Sequence, residues 1–156
     1  MLAEGRYYTL AEAWSLLVQS LAAYADGGSL PETVTLRVPR GPLEDATGLA
    51  QSFSIEAQDL LELARSLSST LGPADWTETP RDIIPAQVSA GGKTLNAAEF
   101  LLAAARVLAE LAGAPLPETI QAEPCEMFPG TLDLLNAASM PRFPGVSWSL
   151  KPARHR

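Results

Sequence analysis

Asn96-Ala97-Ala98-Glu99-Phe100-Leu101-Leu102, running on to Gly113 and ending Leu116-Pro117-Glu118-Thr119-Ile120, is the stretch on which the fold turns. Asn96 is an N-cap, Glu99 its reciprocal capping-box partner, and Leu95 and Phe100 occupy the hydrophobic-staple positions. The alanines at 103, 104, 105, 109 and 112 favour helix and let a neighbouring backbone come close. Gly113 stops the helix, Pro117 forbids its resumption, and Thr119-Ile120 suits an extended segment. The spacing therefore predicts helix, break, Leu-Pro and short strand, in that order.

The same phrase stands 86 residues earlier. Trp14 falls on Phe100, Ala23 on Ala109 and Gly27 on Gly113, and Leu30-Pro31-Glu32-Thr33 matches Leu116-Pro117-Glu118-Thr119 letter for letter. Thr9 and Glu12 predict a capping box for this first helix, and Thr33 to Val38 alternates as a strand. A third helical stretch, Leu60 to Leu67, lies over Leu101 to Leu108 at an offset of 41, with its start expected near Ser52 or Ser54. Gly72-Pro73 is read as its end. Ile84-Pro85-Ala86-Gln87-Val88 supplies another extended segment, followed by a tight turn at Gly91-Gly92. Internal repetition of this kind argues for a binding or scaffold role and names no ligand.

Worked outward, these elements give an αβαβαβ order. The expected class is α+β, helix-rich, with three amphipathic helices alternating with short Leu/Ile-Pro-x-x-Val/Ile strands. The strands lack the Val/Ile-rich runs of a doubly wound parallel sheet. Residues 7–122 read as the repeat-containing domain. Residues 123–156 read as a proline-rich extension with a basic tail and one short helical turn, from Thr131 to Ala138.

Length and charge narrow the functions. A chain of 156 residues can bury a core of its own. The net charge is −7, and residues 1–150 carry 8 Lys/Arg against 18 Asp/Glu. So acidic a body repels a phosphate backbone, which argues against nucleic acid and anionic membrane as partners. No run is long and apolar enough to span a bilayer, and the N-terminus lacks a secretory signal. The chain reads as soluble and cytoplasmic, or as cell-surface if it is a module of a larger exported protein.

Chemical motifs are sparse. The single histidine, His155, is penultimate, where packing rarely holds a catalytic base. Cys125 is the one cysteine, so an internal disulfide and a Cys-based zinc site are both ruled out. Its acidic neighbours raise a thiol pKa. Glu56, Asp59 and Glu62 recur at three-residue spacing and read as a solvated helix face. No calcium loop, phosphate loop or nucleophile elbow is present. No catalytic residue, cofactor or metal is expected. Trp76 and Trp148, in irregular segments beside Tyr7, Tyr8 and Phe143, are the candidate ligand-binding residues, because flat aromatic rings stack on sugar faces. Their alternative is burial as plugs under long loops. Trp14, within the repeat, is expected in the core.

Gly28-Ser29-Leu30-Pro31-Glu32-Thr33-Val34, with Gly92-Lys93-Thr94-Leu95 and Glu99-Phe100-Leu101, resembles the pseudomurein-binding repeat family. There a helix ends at Gly-x-Leu-Pro-x-x-Val, and a second helix starts from a small polar cap before Phe-Leu. The resemblance covers residues 7–122. It implies a non-enzymatic module that attaches to a cell-wall polymer or carbohydrate, commonly beside a wall-acting enzyme. The alternative expectation is a protein–protein interaction or accessory subunit on the same repeat fold.

Overall fold

The computed structural model describes residues 2–3, 6–37, 39, 42, 44, 46–71 and 83–125. Its elements are β1 (Leu2–Ala3), β2 (Arg6–Tyr7), α1 (Leu10–Gly27), β3 (Phe53–Glu56), α2 (Ala57–Thr70), β4 (Gln87–Ala90), β5 (Lys93–Asn96), α3 (Ala97–Leu111) and β6 (Thr119–Ala122). The fold is helix-rich α+β, as expected. The order differs from αβαβαβ because two helices are entered directly from strands that the periodicity had not separated from them.

The helix starts follow local chemistry. Thr9 Oγ1 accepts the Glu12 N–H at 3.1 Å, and Glu12 Oε2 accepts the Thr9 N–H at 2.8 Å. Gly28 closes α1 at φ 69°, the left-handed conformation in which a Cβ would be strained. At α3, Asn96 Oδ1 accepts from the Ala98 and Glu99 N–H groups, both at 2.9 Å. Leu95 and Phe100 are wholly buried as the staple.

The second helix corrects the sequence reading. Ser52 and Ser54 do not open it; Phe53–Glu56 is β3, and α2 begins at Ala57. Ser54 and Glu56 face out while Ile55 faces in, the alternation of a half-buried strand. Antiparallel pairing with β6, about 65 residues away in the chain, fixes it. Ile55 lies opposite Ile120, and Glu56 opposite Thr119. The structural repeat offset is accordingly 40, not 41. At that offset Ile55, Ala57, Leu60, Ala64 and Leu67 of the β3–α2 unit correspond in position to Leu95, Ala97, Phe100, Ala104 and Val107 of the β5–α3 unit. All ten are buried.

The two units share one closing device. The residue after each strand proline offers its carbonyl to the first helical N–H: Glu118 to Ala57 at 3.0 Å, Ala86 to Ala97 at 3.1 Å. β4 and β5 form a two-residue hairpin through Gly91 and Gly92, at φ 56° and 70°, the left-handed pair such a turn requires.

The first Leu-Pro-Glu-Thr segment behaves otherwise. The strand expected over Thr33 to Val38 is absent from the described residues in that range, since 30–37 pair with no strand. Instead the Thr35 carbonyl accepts from Gln19 Nε2 at 3.0 Å, and Arg37 Nη1 donates to the Leu71 carbonyl. The paired segments place Ala90 and Ala122 at the fifth position after proline, buried at 4% and 1% exposure. Leu36 holds that position in the unpaired segment. An isobutyl group thus stands exposed where the paired segments bury a methyl.

The core is formed by α1 against α2 and α3, with the inner faces of β3–β6 and β4–β5 beneath. Trp14 meets Phe100 at a centroid distance of 5.9 Å and a tilt of 57°, so the two repeat-equivalent aromatics touch. The described core residues fall between Ala13 and Ala122.

Candidate functional site

Glu99 is the feature that sequence reasoning undervalued. The capping box at Asn96 was legible, but not that both members would be buried, Asn96 at 1% and Glu99 at 0% exposure. Glu99 Oε2 accepts the Asn96 N–H at 2.9 Å, and Oε1 accepts the Leu49 N–H at 2.6 Å. Charge-assisted bonds to both oxygens keep a carboxylate inside the protein and pin the loop at 46–49 to the start of α3. The signal was present: Glu99 sits among the inward positions Ala98, Phe100 and Ala103, where a solvated side chain would not be placed.

Gly48 makes this approach possible. A Cβ there would stand 2.6 Å from Glu99 Oε1 and 2.8 Å from Asn96 Nδ2, closer than real atoms come. Above this contact lies an open hollow of about 500 Å³, lined by Ala46, Gly48, Leu49, Asn96, Glu99, Pro124 and Cys125. The chain after β6 closes one side: Asn96 Nδ2 donates to the Cys125 carbonyl at 3.3 Å. Arg106 holds the same segment, donating to the Gln121 carbonyl at 2.7 Å and to Glu123 Oε2 at 2.6 Å.

The electrostatics give Cys125 a protonated thiol. Burial pushes its pKa up, and the charge of Glu99 pushes in the same direction. The expected direction holds, burial being the larger cause, and among the described residues the acid that adds to it is Glu99, across the fold. A thiol poised this way is a poor nucleophile. Glu123 is held below the usual carboxylate range, first by its hydrogen bond to Arg106 and then by the guanidinium charge.

The acidic row does not form one helix face. Glu56 ends β3 and makes no side-chain cap, while Asp59 and Glu62 lie on α2. Among the described residues no group of three or more His, Cys, Asp or Glu is placed to hold a metal ion. Trp14 is core at 1% exposure. Tyr8 is half-buried. Trp76, Trp148, Phe143 and His155, the Gly72-Pro73 stop, and the helical turn expected over Thr131 to Ala138 lie outside the described residues.

The outward ladder faces are the remaining surface of note. Ser54 lies opposite Gln121, and Ser89 opposite Thr94, all four exposed. No helix among the described residues is long and apolar enough to cross a membrane. What fold and site define is a helix-rich α+β protein assembled from strand-pair–helix units. Comparison with known proteins found no matching family, no matching curated protein and no matching solved structure.

Proposed function

We propose that this protein is a non-enzymatic binding module for a hydroxyl-rich polymer, a cell-wall polymer of the pseudomurein type or another carbohydrate. The observation that carries the reading is the unit itself. A Pro-x-x-Val/Ile strand pairs with the strand entering a helix, and the arrangement occurs twice in one register. The repeated residues are spent on the core, and beside the charged Glu56 and Lys93 the outward ladder positions carry hydroxyl and amide side chains, on Ser54, Gln87, Ser89, Thr94, Thr119 and Gln121. Such groups both donate and accept hydrogen bonds, as sugar hydroxyls require. Trp76 and Trp148 are the stacking residues of this reading.

The test is co-sedimentation of the full chain with purified wall polymers, pseudomurein among them. Wild type is expected in the pellet with at least one polymer, and Trp148→Ala in the supernatant. Wild type left in the supernatant with every polymer sinks the reading. Equal retention of both proteins removes Trp148 from the site. A protein partner is the second reading. It rests on Leu30 and Leu36, 36% and 39% exposed on a segment outside any strand, whose backbone is open to pairing with another protein's sheet edge.

A further inference from the structure

We propose that residues 30–36 are a second, competing occupant of β3, exchanging within one chain with residues 116–122. The two segments follow repeat-equivalent helices at the same offset of 86 and share Leu-Pro-Glu-Thr. Laid on β3 in the register of β6, Val34 takes the place of Ile120 opposite Ile55, and Thr35 that of Gln121 opposite Ser54. Glu32 would offer the Ala57 N–H the carbonyl that Glu118 now offers at 3.0 Å.

Chain order favours the same partner. β4 pairs with the strand entering the next helix, α3. By that rule 30–36 belongs on the strand entering α2, which is β3. The C-terminal strand occupies it instead, and the fifth residue after proline sets the preference. Ala122 fits under the ladder, whereas Leu36 overpacks it. The displaced segment would carry with it the Gln121 carbonyl and Glu123, both held by Arg106, and the Cys125 carbonyl held by Asn96. Exchange on β3 therefore opens the hollow above Glu99, and the state of one strand controls access to a site about 40 residues away in sequence.

Disulfide trapping reads both states. In a Cys125→Ala background, Gln121→Cys with Ser54→Cys reports the resident strand, and Thr35→Cys with Ser54→Cys reports the exchanged one. Both pairs are expected to close within monomers under mild oxidation, the second more slowly. Adding Leu36→Ala should speed closure of the Thr35 pair about ten-fold, the scale of relieving an overpacked side chain. Closure of the Gln121 pair alone, closure of the Thr35 pair only between chains, or no acceleration by Leu36→Ala overturns the proposal. A single-site measurement guards against variants that fail to fold. Leu36→Ala with Cys125 intact should raise the thiol's alkylation rate several-fold at fixed pH, and an unchanged rate counts against exchange.

Discussion

Two capping boxes of the same type differ in worth because one is wet and the other dry. Thr9 and Glu12 bond in the open, where water competes, and Glu12→Ala should lower unfolding free energy by about 0.5–1 kcal/mol. Glu99→Ala leaves the buried Asn96 N–H and the half-buried Leu49 N–H without their acceptor, and should cost about 2–4 kcal/mol by urea denaturation. The carboxylate's position thus turns a generic helix start into the fastening of the 46–49 loop. Sequence displayed the box; the loop that covers it, brought in by Gly48 some 50 residues earlier, was invisible to any local pattern.

Cys125 gives a pH signature at the same scale. Its alkylation by iodoacetamide should have a midpoint above that of a free thiol. Glu99→Gln should bring the midpoint only partway back, since burial is the larger cause. The sign for stability follows. The folded state holds the thiol proton more tightly than the unfolded state, so this contribution is complete at neutral pH and is lost as pH rises past the ordinary thiol range. Glu123 runs the other way: Arg106 depresses its pKa, so its contribution is present above the ordinary carboxylate range and fades as acid protonates it.

Among the elements, the β4–β5 hairpin depends most sharply on single residues. Gly91 and Gly92 both hold positive φ, but a Cβ on Gly92 meets nothing within 4 Å, whereas one on Gly91 stands 2.9 Å from Asp59 Oδ2. Gly92→Ala should therefore cost about 1 kcal/mol of backbone strain, and Gly91→Ala measurably more, in thermal unfolding. Equal costs would mean that Asp59 does not crowd the turn. The limits of α1, the start of α3 and the hairpin turn were legible, because caps, glycines and 3.6-residue periodicity are local signals. β3 was not. Four residues of alternation running straight into a helix merge with its apolar face, and only a remote partner separates them.

Over the whole molecule, the closure of β6 onto β3 ties the two halves of the chain together. Ile120 is 7% exposed and lies opposite Ile55, on a strand that packs against α3. Ile120→Ala should lower stability by about 2–4 kcal/mol. Because the closing strand supports both strand–helix units, amide exchange should accelerate in α2 and α3 together. Acceleration confined to α3 would show that the two units open independently.

The sequence by itself determined the class, the three helices, the capping boxes of α1 and α3, the punctuating prolines and glycines, and the existence of a repeat, since each is written in the order and spacing of residues along the chain. The tertiary structure alone decided which Leu-Pro-Glu-Thr copy becomes a strand, that Glu99 is an interior anchor, and which acid faces Cys125. Strand pairing and burial are settled by space and partners far along the chain, which a motif repeated in the sequence does not itself specify.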